Sequence, residues 1–240
     1  VVYGQGLQDV RLEGQALRAA PGAFFVHNYH GTCISGLKTF QARVPRPCRR
    51  RFGAACLFHY FPHRCGGLNP LTMWRLYERQ GRRLRLLARY QILLTNSEHM
   101  REEYLKNGFR PDQVLAVPLP VVPPRDLHQH SPAAAPTVVA AQGARVFRLL
   151  FLGRMDAHKG GDVLLRALPQ AAETLATPLH VTLAGDGPLR RAWERLAAKV
   201  RAGRPGLVID FPGWLTEADK AERLRQSDLL VLPSVWPEPF

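Results

Sequence analysis

The stretch FLGRMDAHKGGD, residues 151–162, gathers Arg154, Lys159, Gly153, Gly160 and Gly161 into a single turn between an apolar run and a periodic one. A guanidinium and an ammonium there supply positive charge, a helix start supplies unpaired N–H groups, and glycines let a ligand come close to the backbone. That combination suits a diphosphate. A second glycine turn, AGDGP at 184–188, adds Gly185 and Gly187, and near the C-terminus Glu238 stands between Pro237 and Pro239. A carboxylate in so stiff a loop can accept hydrogen bonds from sugar hydroxyls. Taken singly, each feature has a plainer reading: two solvated cations, an ordinary αβ turn, a surface glutamate. Neither turn matches the dinucleotide fingerprint GxGxxG or the P-loop GxxxxGK[ST], which argues against a dehydrogenase and an NTPase.

The elements that must position these residues follow from the hydrophobic pattern. Strands are expected at 147–152, 180–184, 207–211 and 229–232, with helices at 162–175, 189–201 and 217–226 between them, a βαβαβαβ run. On the first helix Val163, Leu164, Ala167, Leu168, Ala171 and Leu175 form the stripe expected to cover a sheet. Right-handed crossovers make this a parallel Rossmann-type sheet, so the turn after residue 152 falls at its ligand-binding edge.

Earlier in the chain, strands at 23–27, 91–95 and 114–117 alternate with helices near 13–20, 71–89 and 98–107, a second parallel α/β pattern in which Gly81 interrupts the 71–89 helix. The 98–107 helix has Asn96 or Ser97 as N-cap, with Gly108 and Pro111 to end it. Pro- and Ala-rich residues 118–145 show no period and read as a linker, dividing the chain into 1–117, 118–145 and 146–240.

A length of 240 residues with 46% hydrophobic content suits a folded protein of one large or two modest domains, without an apolar run long enough for a membrane span. The expected compartment is the cytoplasm. Net charge is +14, and residues 1–145 carry most of it, with 20 Lys and Arg against 8 Asp and Glu (+12), while residues 146–240 carry 13 against 11 (+2). Residues 43–51 and 75–89 hold the basic clusters, the second interleaved with Trp74, Leu76, Tyr77, Leu84, Leu87 and Tyr90. Such a face can lie on anionic lipid, or be a half-buried helix with solvated arginines. All four cysteines, Cys33, Cys48, Cys56 and Cys65, fall within 33 residues, and Cys56, His59, His63 and Cys65 approach zinc-ligand spacing without matching a standard finger. Plain buried thiols and disulfides are the alternatives.

Together, FLGRMDAHKGGDVLLRAL, LAGDGP and LLVLPSVWPEPF resemble the donor domain of family 4, or group 1, retaining glycosyltransferases of the GT-B fold. FFVHNYHGTC resembles the acceptor-domain segment in which a histidine, here His27, follows an apolar strand. The resemblance implies α/β architecture with two Rossmann-like domains facing a cleft, both incomplete, the chain being a central piece of a longer enzyme. It implies that Gly153, Arg154 and Lys159 bind the donor diphosphate, that Gly185, Gly187, Pro239 and Phe240 belong to donor-binding loops, and that His27 and Glu238 act at the reacting centre, with His30 as a weaker candidate. The donor would be a nucleotide-diphosphate sugar, the acceptor a glycan or lipid-linked glycan, with no cofactor and no catalytic metal, in keeping with the absence of a DxD motif. A location at the inner membrane surface fits such acceptors, and nucleic acid is not the expected partner. Rival readings are a non-catalytic basic module that binds membrane or nucleic acid, and a GT-B sugar-nucleotide epimerase.

Overall fold

The computed structural model describes residues 1–5, 9–41, 45–118, 145–175 and 177–239. Most of the expected linker, 119–144, and Phe240 lie outside those residues. The chain divides into two compact units, Val1–Val122 with Trp236–Phe240, and Pro123–Val235. The proline-bracketed segment holding Glu238 therefore groups with the first unit.

In the first unit the elements run β1 (Val2–Gln5), α1 (Val10–Ala19), β2 (Gly22–Val26), β3 (Thr39–Phe40), β4 (Arg46–Pro47), α2 (Ala55–Tyr60), α3 (Pro70–Leu87), β5 (Ile92–Thr95), α4 (Glu98–Lys106) and β6 (Val114–Ala116). Four strands form a parallel sheet in the order β1-β2-β5-β6, with Gln5 opposite Phe25 and Val26 opposite Thr95. Helix α4 is capped by Ser97, whose hydroxyl accepts from the Met100 N–H, and Gly108 follows it with φ 93°. The short strand β1 escapes the sequence pattern because four residues with Tyr3 56% exposed show no clear alternation.

Helix α3 runs unbroken through Gly81, contrary to the interruption expected there. A glycine in a helix interior costs about 1 kcal/mol. The packed face of Gln80, Arg83, Leu86 and Leu87 outweighs it. Arg83 points inward, bonded to Glu13 and 4.5 Å above the Phe24 ring, and Tyr90 donates to the second Glu13 oxygen. One arginine of the basic cluster thus belongs to the core. A second buried charge network centres on Lys38, which is 1% exposed and has φ 54°. Its ammonium lies 2.7 Å from Glu103 and donates to the carbonyls of Thr32 and Arg50, tying the long β2–α2 excursion to α4.

The second unit contains β7 (Phe147–Leu152), α5 (Gly161–Leu175), β8 (Leu179–Ala184), α6 (Arg190–Arg201), β9 (Leu207–Gly213), α7 (Glu217–Gln226) and β10 (Leu229–Leu230). Its strands are parallel in the order β10-β7-β8-β9. The chain moves outward from β7 through β8 to β9, then crosses back to place β10 on the other side of β7. That reversal makes the C-terminal end of β7 a topological switch point, where open α/β sheets bind ligands. Leu149, Phe151, Val181, Leu183, Leu164, Leu165, Leu168 and Trp193 make the core beneath α5 and α6. The stripe expected on α5 is rotated: Leu165 is buried, while Val163, Ala167 and Leu175 are exposed. The α5 register is set by Gly161, whose absent Cβ would fall 2.3 Å from the Trp193 ring.

Candidate functional site

The turns at the carboxyl ends of β7, β8 and β9 are joined by backbone hydrogen bonds. Gly153 N–H donates to Ala184, Gly185 N–H to Gly213, and Met155 N–H to Asp186, at 3.1, 2.7 and 2.8 Å. Parallel pairing therefore continues past the strands, and the three turns behave as one surface. Gly185 has φ 131°, and a Cβ there would lie 2.0 Å from the Gly153 carbonyl oxygen. No other residue fits that joint.

This surface floors a pocket of about 590 Å³ lined by Leu152, Gly153, Arg154, Ala184, Gly185, Asp186, Trp214, Leu215 and Lys220. Arg154 lines it with a side chain 70% exposed, 3.6 Å from Asp156. A guanidinium so placed is available to a bidentate anion. Trp214 is 83% exposed and brings an aromatic face beside Leu215. Lys220 carries a second ammonium on the pocket lining, bonded to Glu217 at 2.6 Å. The lining thus sets two cations, Arg154 and Lys220, and one carboxylate, Asp186, around an apolar interior, a combination that can hold a base joined to phosphates.

The turn glycines divide differently from the sequence expectation. Gly160, with φ 66°, approaches the Pro233 carbonyl, where a Cβ would sit 2.0 Å from the oxygen, and Gly161 meets Trp193. Both are closely packed on the side that a Cβ would occupy. Gly187 is likewise turned inward, since its Cβ would lie 2.5 Å from the Met155 oxygen. Gly153, Arg154 and Gly185 line the pocket, whereas Lys159 and Gly187 do not. Lys159 sits in the turn ahead of α5, its N–H bonded to the Asp156 side chain. Asp156 organises that turn, accepting also from the His158 N–H at 2.9 Å. Asp186, Trp214, Leu215 and Lys220 were not expected. For Trp214 and Leu215, the signal was their place directly after a strand, GWLTE following FP.

At the carboxyl edge of the first sheet, His27 follows β2 and Asn96 follows β5, one step beyond the paired Val26 and Thr95. The Gln5 side chain reaches His27 Nε2 at 2.8 Å, and the His27 ring lies 4.8 Å from that of Phe25, tilted by 32°. With the Gln5 amide donating, the His27 proton resides on Nδ1. Asn96 is 5% exposed, and among the described residues neither of its side-chain polar atoms has a hydrogen-bond partner. His30 is part-buried, its basicity lowered by burial and then by Arg79 and Arg83. Three strand ends thus bring Gln5, His27 and Asn96 to one edge, of which only His27 was marked as chemical.

The cysteine cluster does not form the suggested metal site. Among the described residues no three His, Cys, Asp or Glu side chains converge to hold a metal ion. Cys56 and Cys65 turn their thiols to the carbonyls of Arg51 and His59, at 3.9 and 3.8 Å, while His63 stacks between Phe40 and His59. Burial pushes the Cys65 thiol up to about 12 and raises Cys48 and Cys56, which opposes thiolate formation. All four cysteines are free.

Residues 146–240 match the family model described as glycosyl transferases group 1. No curated protein matches the chain. Among solved structures, the chain is similar to Anabaena Alr3699/HepE in complex with UDP, at 16% identity and TM-score 0.57, covering 100% of this chain and 55% of that one. It is similar to the pneumococcal O-GlcNAc transferase GtfA in complex with UDP and GlcNAc, at 14% identity and TM-score 0.52, covering 95% and 35%. It is also similar to TarM, at 11% identity and TM-score 0.51, covering 98% and 36%. The chain spans about half the length of the first of these, 55%. These likenesses assign the fold: mixed α/β with Rossmann-like parallel sheets, of the kind found in GT-B glycosyltransferases.

Proposed function

We propose that the protein is a glycosyltransferase that takes a sugar from a nucleotide-diphosphate donor, with retention of anomeric configuration, and passes it to a glycan or lipid-linked glycan. The observation that carries this reading is the pocket at the β7 switch point, cationic at Arg154 and glycine-floored, within the segment that matches the group 1 family model. Solved structures of the same fold hold UDP, or UDP with a sugar, which supports a nucleotide-sugar donor here.

In this reading the base lies against Trp214 and Leu215, and the diphosphate meets the Gly153 turn and Arg154. Lys159 joins them from the turn ahead of α5. Departure of the nucleotide diphosphate leaves charge on its oxygens, and fixed cations stabilise it without solvent reorganisation. Glu238 accepts from the hexose hydroxyls. His27, its tautomer set by Gln5, presents Nδ1–H to the donor sugar or the acceptor hydroxyl. No cofactor takes part, and the ion-stabilising work falls to side chains.

The acceptor side is basic. A groove of about 920 Å³ between α1 and α3 is lined by Asp9, Val10, Arg11, Trp74, Arg75, Glu78, Arg79 and Arg82. Among the described residues no helix is long and apolar enough to cross a membrane. Exposed Trp74 and Leu71 beside those arginines suit peripheral contact with an anionic membrane from the cytoplasmic side.

The test is binding of UDP, GDP and ADP, each compared with its nucleoside. Arg154→Ala should weaken the diphosphate by about 10- to 100-fold, the worth of a charged hydrogen bond, and the nucleoside by less than about twofold. Equal losses for both would overturn the assignment.

A further inference from the structure

The segment Trp236–Pro239 is held at three points by residues of the first unit. The Tyr29 hydroxyl donates to the Pro237 carbonyl at 2.8 Å, and the Ser97 hydroxyl donates to the Pro239 carbonyl at 2.7 Å. The Trp236 ring meets Tyr29 edge-on, with centroids 6.2 Å apart at 81°. Glu238 stands between the two bonded carbonyls, so its backbone is fixed on both sides.

Both hydroxyls are committed by their own surroundings. Tyr29 is fully buried, and having donated to Pro237 it accepts from His99 Nε2 at 3.0 Å. Burial, then Glu103 and Glu238, raise its phenol, so that it stays a donor throughout the physiological range. Ser97 also caps α4, accepting from Met100 N–H while its own proton goes to Pro239. Tyr29 lies just after β2, and Ser97 just after β5. The strap is therefore anchored on two strand ends of one sheet, the same ends that carry His27 and Asn96. Prolines at 237 and 239 have no N–H to bond elsewhere and confine φ, so few bonds are needed to fix the segment.

We propose that Tyr29 and Ser97 are positioning residues that set Glu238 for recognition of the donor sugar, through the carbonyls of Pro237 and Pro239. This rests on the role proposed above for Glu238. Selectivity for a nucleotide sugar over its nucleotide diphosphate would then depend on two hydroxyls that touch neither ligand.

The experiment compares the wild-type chain with Tyr29→Phe, Ser97→Gly and Glu238→Gln. Tyr29→Phe keeps the buried ring, and glycine retains much of the N-cap preference lost with alanine. Hydrogen exchange at residues 236 and 238 should rise in both hydroxyl variants. Affinities are measured for UDP-, GDP- and ADP-glucose and their diphosphates, and the tightest pair is followed. Glu238→Gln should weaken the nucleotide sugar and leave the diphosphate within about twofold. Tyr29→Phe should do the same by about two- to tenfold, the loss of one neutral hydrogen bond. Exchange at 236–239 unchanged in both hydroxyl variants overturns the strap. So does a sugar-selective loss in Glu238→Gln that Tyr29→Phe does not share. If Glu238→Gln leaves the sugar preference intact, the assumed role of Glu238 fails, and with it the inference. If no nucleotide sugar or diphosphate binds the wild type, the proposed function fails as well.

Discussion

The ligand edges of the two sheets are made by different means. In the second unit, backbone does the work: three turns are bonded to one another through Gly153, Gly185 and Met155, and side chains are added at the rim. In the first unit, the edge is a set of side chains, Gln5, His27, Asn96, Tyr29 and Ser97, of which Gln5 bonds His27 and Tyr29 and Ser97 bond distant carbonyls. A backbone edge leaves a signature of glycines and cations in the sequence. An edge of side chains leaves ordinary residues whose partners lie 22 to 208 positions away.

The contrast predicts where each edge breaks. Gly185→Ala places a methyl group in the left-handed region and against the Gly153 carbonyl. It should destabilise the second unit by more than about 3 kcal/mol and abolish nucleotide binding, read by calorimetry and titration. His27→Ala, at the other edge, should stay within about 1 kcal/mol of wild-type stability.

Next in size, Lys38→Met removes one of two ammonium groups 2.7 Å from Glu103 and leaves Lys106 as its partner. Breaking a buried pair outright costs about 3–5 kcal/mol, and the retained Lys106 keeps the loss at or below about 3 kcal/mol, so the denaturant midpoint should fall. If it does not, the β2–α2 excursion is held by packing alone.

The same network predicts a pH dependence. Burial raises the Glu103 carboxyl, but bonds from Lys106 and Lys38 outweigh it and leave it below the ordinary range. Its contribution is complete above the unfolded value of about 4.3, and it is lost as pH falls through the lower folded value. Acid titration of stability should therefore be flat above about pH 5 and shallower below it in Glu103→Gln than in wild type.

The smallest effect expected is at Gln5. Gln5→Leu removes the bond that assigns the His27 tautomer, an exchange of one polar contact on a half-exposed ring. Stability should change by less than about 1 kcal/mol. The rate of transfer should fall by about two- to tenfold as the ring loses its Nε2 partner, and an unchanged rate would detach Gln5 from His27.

Much of the second unit was legible in the sequence. The strands at 147–152 and 207–211, and the helix at 217–226, are patterned strongly enough that local preference and burial agree. The first unit was harder. β1 is short, α2 lies in a cysteine- and histidine-rich stretch that resembles a metal site, and Gly81 suggested a break that packing removes. The α5 stripe was misplaced by one residue in part because Trp193, far along the chain, sets its rotation through Gly161.

By itself, the sequence determined the alternation of strands and helices, the parallel sheets that alternation requires, and the cationic glycine turn at a strand end. These depend on period, turn chemistry and charge, all properties of neighbouring residues. Only the tertiary structure decided which glycines face the pocket and which face Pro233 or Trp193, and that Trp214 and Lys220 join Arg154. It alone decided that Cys56, His59, His63 and Cys65 do not converge as metal ligands, and that Tyr29 and Ser97 hold the segment of Glu238. Each of those outcomes turns on the direction of a side chain relative to a distant element, which packing fixes and spacing along the chain does not.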